Sequence, residues 1–433
     1  MRPLVLSGMF LVLILSDMFG WRLGWETGVS AKNAFLLLLA LLVLLDRAIA
    51  RDRMPGEVRR TLGLFLGLVV MASLSLGLAS LGAQDGGRLS QRLLSVKGLL
   101  VDHLLFFIVY LYGPRNLQEA MRTVTALVAL VIAVNILTLV DAFDIPDLGI
   151  IRSHEGRVSG PLGEPNQYAA VSAMFVPVLG ALMLGARRVW RIAYGGGLLV
   201  TLALLLATGS RGGVVGLVGG IAAGAWLFRK ELGPAAMAKG TLVFGTLFAV
   251  AVALAGIRYS GVMEERVAAT TERQTVTAVS SGRLMIWQKG LEIQAQEPLS
   301  FVWGKGWDSF TRLTGQVSHN TFMEVLFNLG LVGLGLLLAV IRGVVNTSVR
   351  RVALAQGPPR AVLIGFVMGF AALCGAVFFV NLYSAWFLVW AYAGAATRVA
   401  VEVGRTLAPA ATRPAPMGSA GTVVRQGLAA SGG

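Results

Sequence analysis

Apolar residues in this chain come in long continuous runs, not in alternating strands or narrow stripes. Runs near 3–20, 33–50, 61–82, 98–113, 120–141, 167–185, 192–208, 212–228, 239–257, 319–341, 360–380 and 382–399 each approach the ~20 apolar residues that a bilayer core requires. The pattern predicts an all-α polytopic membrane protein with about twelve transmembrane helices. Asp46 shortens the second run, and Asp102 and His103 interrupt the fourth. The last two runs are so close that Asn381 is expected to mark a tight turn. The start, Met1-Arg2-Pro3, leads into an apolar run, but the bulky Ser16-Asp17-Met18-Phe19-Gly20-Trp21 gives no small-x-small cleavage site, so this run reads as a retained first span. Gly195 to Gly197, and Gly212, Gly213, Gly216, Gly219 and Gly220, suit close helix packing in lipid.

One long interruption breaks the pattern. From Arg258 to Ser318 the chain is polar and charged, and His319 then heads the next apolar run. The expected organisation is therefore helices 1–9 over 1–257, a large loop over 258–318, helices 10–12 over 319–400, and a tail over 401–433. The tail is rich in Ala, Gly, Pro, Ser and Thr and cannot bury a core, so it is expected to be disordered.

Composition agrees with the pattern. The chain is 56% hydrophobic and only 14% charged, against about 25% in soluble proteins, and its mean hydropathy is +0.73. The formal net charge of +15 would suit a nucleic-acid partner, but its distribution argues otherwise. Arg and Lys concentrate on alternate connections, at Arg47 to Arg60, Arg187 to Arg191, Arg229 to Lys239 and Arg342 to Arg360. The positive-inside rule then puts both termini in the cytoplasm and the long loop in the periplasm of a bacterial inner membrane, and it accounts for the charge without nucleic acid. The single cysteine, Cys374, allows neither an intramolecular disulfide nor a cysteine metal site.

On that topology the arginines of the outer face need a reason, because the rule leaves few there. Arg157 lies in Arg157-Val158-Ser159-Gly160-Pro161-Leu162-Gly163-Glu164-Pro165-Asn166, a Gly/Pro-shaped loop. Arg211 lies in the very short turn Thr208-Gly209-Ser210-Arg211-Gly212-Gly213, near backbone N–H groups at a helix start. Arg283 and Lys289 belong to Ser281-Gly282-Arg283-Leu284-Met285-Ile286-Trp287-Gln288-Lys289, which reads as a short amphipathic interfacial helix. His319 opens the tenth run with Asn320 close by and Glu324 about one turn on. Solvated loops, arginines snorkelling to headgroups and a structural histidine are the plain readings of each. Together they suit something more specific. Arginines bind phosphate bidentately at any relevant pH, and a neutral histidine can act as a general base. No Asp-x-Asp pair, Walker sequence or dinucleotide fingerprint occurs on the expected outer face, so neither a metal nor a cofactor is implied. Asp141, Asp144 and Asp147 recur near the end of the fifth run and suit either an acceptor site or a solvated edge. Asp102 and His103 are a secondary candidate pair, with helix packing as the alternative.

The Arg157 loop through Pro165-Asn166, the Ser210-Arg211-Gly212-Gly213 turn, Ser281-Gly282-Arg283-Leu284-x-x-Trp287, Gly304-x-Gly306, and His319-Asn320-Thr321 with Glu324 and Gly330 resemble the O-antigen ligase and polymerase family of bacterial integral-membrane glycosyltransferases. The resemblance spans about residues 150–335. It implies the membrane glycosyltransferase fold, with short amphipathic helices in the periplasmic loop. It also implies a metal-independent, inverting transfer of a glycan from undecaprenyl diphosphate to a sugar hydroxyl, on lipid A–core in ligases or on another lipid-linked repeat unit in polymerases. By the same analogy Arg211 and Arg283 would hold the diphosphate, Arg157 would assist, and His319 would activate the acceptor. Ser210, Asn166, Lys289, Asn320 and Glu324 are the further expected substrate-binding residues. A ligase is the preferred expectation and a polymerase the alternative. A transporter of lipid-linked or anionic substrates also fits the spans, but transporters place broken helices at the midplane, whereas the unusual polar residues here gather at one face. A structural scaffold would leave Arg211 and His319 without a role.

Overall fold

A computed structural model describes residues 5–9, 31–50, 54–81, 89–143, 156–271, 282–382 and 386–407. The helices in chain order are α1 (Ala31–Ile49), α2 (Gly56–Leu81), α3 (Leu89–Val96), a π turn (Lys97–Val101) leading into α4 (Asp102–Tyr112), α5 (Leu117–Ala142), α6 (Pro165–Gly185), α7 (Arg188–Ala207), α8 (Arg211–Leu227) and α9 (Arg229–Thr271). Three short helices follow, α10 (Arg283–Ala295), α11 (Ser300–Trp303) and α12 (Ser309–Thr314). The chain then forms α13 (Thr321–Val352), α14 (Gly357–Ala376) and α15 (Trp386–Leu407). Among the described residues, 8 helices are long and apolar enough to cross a membrane, and Arg211–Leu227 is a shorter apolar helix. Every predicted run from 33–50 onward overlaps one of these elements, although the run at 360–380 passes the end of α14 at Ala376, the run at 382–399 begins before α15 at Trp386, and residues 383–385 lie outside the described residues. Most of the run at 3–20, Asp144, Asp147 and the tail from 408 onward lie outside the described residues.

Lengths and caps follow local sequence. Asn116 caps α5 by accepting from Glu119 N at 2.9 Å. Pro165 starts α6, where its missing N–H costs nothing. The last helix runs to Leu407, past the expected boundary at 400, because Glu402 joins it to itself by ion pairs with Arg398 (2.8 Å) and Arg405 (2.9 Å). Likewise α9 continues to Thr271 after an irregular Tyr259, whose hydroxyl reaches the Ala142 carbonyl at 3.1 Å.

The core forms where small residues let helices approach. α6 packs against α7, α8 and α14, and α4 packs against α15. A Cβ on Gly220 would lie 2.4 Å from Ala372 N, and one on Gly216 2.5 Å from Ala376 N, so α8 and α14 touch backbone to backbone. Gly219 and Gly196 face open space instead. Exposed Leu37, Leu38, Leu41 and Leu42 on α1, and Trp190 and Ile192 on α7, give these helices an apolar outer surface, as lipid contact requires.

The polar segment is sewn to the bundle at a kink in α13. Gly330 has φ +66 within that helix, which frees the carbonyls of Phe327 and Asn328 to accept from Lys305 N (2.8 Å) and Gly306 N (3.1 Å). The crossing leaves no room for a side chain, since a Cβ on Gly330 would sit 2.2 Å from Val302 O. Gly330→Ala therefore combines a disfavoured backbone with a clash. It is expected to cost about 2–4 kcal/mol and to lower the melting temperature of the purified protein by several degrees in a thermal-shift measurement.

Candidate functional site

Four helix beginnings converge on one polar cluster. Each brings a side chain singled out in the sequence, or one next to it.

The loop before α6 supplies the first. Glu164 caps α6, its Oε2 accepting from Gln167 N at 2.6 Å, while its Oε1 accepts from Asn166 Nδ2 at 2.8 Å. Asn166 in turn receives Arg157 Nη2 at 3.1 Å. Arg157 is buried, and its Nε donates to the Thr208 carbonyl at 2.7 Å. Val158 N reaches Ala207 O at 3.3 Å. This loop is thus tied to the turn between α7 and α8, and Arg157 is the tie.

That turn supplies the second. Gly209 has φ +60, Ser210 N donates to Thr208 Oγ1 at 3.1 Å, and Ser210 Oγ caps Gly213 N at 3.4 Å. The geometry sets Arg211 as the first residue of α8, half-buried beside the helix's free N–H groups. Arg283 is likewise the first residue of α10, behind Gly282 at φ +77. Further along α10, Trp287 Nε1 donates to Ser318 O at 2.7 Å and Lys289 Nζ to Thr314 O at 2.7 Å. These two bonds hold α10 against the segment that leads to His319.

The His319 turn is the fourth. His319 has φ +49, a left-handed backbone uncommon for a side chain other than Gly or Asn. Its neighbours hold it there. The Ser318 hydroxyl lies 2.9 Å from Asn381 Oδ1 and 3.1 Å from Glu324 Oε2. Asn381 Nδ2 donates to the same Glu324 carboxylate. Asn320 Oδ1 caps α13 at Met323 N (3.0 Å), and Thr321 N reaches Val377 O (3.0 Å). Asn381, expected as a turn residue, is therefore a buried clamp.

The electrostatics show what this assembly brings together. The pKa of Arg283 is lowered by burial and then by the charge of Arg211, and Glu164 opposes the shift. His319 is lowered from 6.5 by desolvation and then by Arg283, again opposed by Glu164. Arg211, Arg283, Glu164 and His319 thus share one electrostatic field. Among the described residues Arg283 makes no hydrogen bond or ion pair, and the exposed His319 ring makes no hydrogen bond. A half-buried guanidinium beside a second one, at helix N-termini, has the chemistry to receive an anion. A neutral, unengaged imidazole next to it can take a proton.

Of the residues expected at the site, Arg211 and His319 each lie close enough to Arg283 to feel its charge. Arg157, Asn166 and Ser210 fix the loop and turn behind them. Lys289, Asn320 and Glu324 are bonded within the protein, to Thr314, Met323, Ser318 and Asn381. Sequence reasoning named neither Glu164 nor Asn381 as a site residue, expecting Asn381 only to mark a turn. Glu164 could have been found as an acidic cap directly before Pro165, but Asn381 gives no local signal of its contact with Ser318. The secondary pair lies elsewhere, with Asp102 ion-paired to Lys97 at 2.7 Å and His103 Nδ1 against the Leu99 carbonyl.

Glu164 gives a pH test. Its charge raises the His319 pKa, so Glu164→Gln lowers that pKa further while keeping an oxygen for the cap. Activity that needs neutral His319 falls as pH drops through this pKa, below 6.5 in the wild type. The acid limb of the wild-type rate–pH profile is expected below that value, and the Glu164→Gln limb at still lower pH.

Residues 196–338 match the family model of the O-antigen ligases. The matched stretch contains Arg211, Arg283 and His319 and leaves out Arg157 and Glu164. No curated protein matches the chain.

Proposed function

From a chain whose residues 196–338 match the O-antigen ligase family, we propose a membrane glycosyltransferase that moves a glycan from undecaprenyl diphosphate to a sugar hydroxyl of lipid A–core. The observation that carries this reading is Arg283, half-buried beside Arg211 and without a bonded partner among the described residues. Such a pair fits a diphosphate better than any single carboxylate.

In the proposed reaction the acceptor hydroxyl gives its proton to His319 as its oxygen attacks the anomeric carbon. The bond from that carbon to the diphosphate oxygen breaks on the opposite face, inverting the centre. Arg211 and Arg283 neutralise the charge gathering on the departing lipid diphosphate, so no metal ion is needed for that task. Arg157, Asn166 and Ser210 keep the arginines in place, and Lys289, Asn320 and Glu324 border the bound substrates. The helices form about twelve spans with both termini in the cytoplasm, and the segment 258–318 lies in the periplasm of a bacterial inner membrane, where lipid-linked glycans would be met.

A polymerase would use the same donor half of the site, and acceptor choice separates the two. The test offers purified protein a lipid-linked oligosaccharide with either lipid A–core or excess donor. Glycan on lipid A–core supports the ligase reading, whereas donor growing into longer chains replaces it with the polymerase.

A further inference from the structure

A cavity of about 230 Å³ opens beside the His319 turn and is separate from the arginine cluster. Its floor is apolar, with Phe65 and Leu68 of α2, Leu99 and Leu100 of the π turn, and Trp390 of α15. Its polar groups are Asp308, Glu324, Asn381, Asn328, Thr321 and Ser95. Glu324 links the cavity to the catalytic turn, because the carboxylate that lines it also holds Ser318, the residue before His319.

Asp308 is the unusual member. It has φ +61, and its position is over-determined from both sides. Before it, Trp307 is buried, with its carbonyl bonded to Arg92 Nη2 at 2.9 Å and its Nε1 to Ser95 Oγ at 3.1 Å. After it, Asn328 Oδ1 accepts from Ser309 N at 3.2 Å and Phe310 N at 3.0 Å. All this structure presents one carboxylate that accepts no hydrogen bond from the described residues.

We propose that this cavity receives the acceptor, and that Asp308 and Glu324 take hydrogen bonds from the hydroxyls of its terminal sugar. The inference rests on the glycosyl-transfer reading and adds the acceptor subsite to it. Two carboxylates and two amides suit a hydroxyl-rich ring, whereas the arginine cluster suits a phosphate. The His319 turn is therefore flanked by two sites of opposite preference, one for the donor's diphosphate and one for the acceptor's hydroxyls. That arrangement holds the two substrates apart until one hydroxyl reaches the imidazole.

The test is steady-state kinetics on the full-length protein in liposomes, varying acceptor and donor separately. Asp308→Asn removes the charge-assisted acceptor, and Val325→Phe narrows the cavity next to Glu324. Both are expected to raise the acceptor KM by about 10- to 100-fold and to leave the donor KM within about twofold. An unchanged acceptor KM in both variants overturns the inference. So does an effect of Val325→Phe alone, which would assign the cavity to a lipid chain. Failure of the wild-type protein to use any acceptor would instead contradict the transfer reading itself, and the two failures are distinct.

Discussion

Arg283→Ala is expected to reduce glycan transfer by about 100- to 1000-fold, the loss seen when one charge-stabilising donor is taken from a leaving group. Arg283 stands at the head of α10 next to Arg211, partly desolvated, with no carboxylate bonded to it among the described residues. Removing it relieves like-charge repulsion, so the folded protein should be at least as stable as before. The thermal-shift midpoint is therefore expected to hold or rise while activity collapses. Arg283→Lys keeps the charge but loses the planar fork that engages two phosphate oxygens, and its rate is expected to fall between wild type and Ala. A large loss of stability in Arg283→Ala would instead show that the guanidinium serves the fold.

His319→Asn is expected to cost about 100- to 10,000-fold in rate, the range for a general base. Asn is the informative replacement because it tolerates the left-handed backbone seen at φ +49, so the Ser318–Asn320 turn should persist. The variant removes the base without removing either arginine, so binding of the lipid diphosphate should change little. It should also abolish the acid limb of the rate–pH profile. The wild-type limb belongs below 6.5 because desolvation and Arg283 both favour the neutral ring. An unaltered limb in His319→Asn would place the titrating base elsewhere.

Much of the architecture could be read from the chain because lipid imposes a simple rule. A run such as 120–141 or 360–380 must be helical in a bilayer, and helices are found at both. Arg211 drew notice for a related reason, since an arginine in a turn as short as Thr208–Arg211 is costly without a partner. What could not be read was tertiary. Nothing local to Asn381 says that it meets Ser318, and nothing in Asp308 announces a left-handed residue lining a cavity. Gly330 stood out only as part of the resemblance, with nothing in the apolar run around it to announce a kink. Its meaning comes from the Val302–Gly306 segment that crosses it. Lys289 was singled out as a cation of the interfacial helix, and Asn320 and Glu324 for their polarity near the histidine. Their hydrogen bonds go to the protein, which gives them a part in building the turn.

The most direct measurement is transfer itself. Purified protein in liposomes is given an undecaprenyl-diphosphate oligosaccharide and lipid A–core, with EDTA present, and the wild type is compared with Arg211→Ala and His319→Ala. The account predicts glycan on lipid A–core with the wild type, undiminished by the chelator, and lost in both variants while each stays folded. Folded wild-type protein that transfers the glycan to no acceptor, or variants that transfer as well as the wild type, would contradict it.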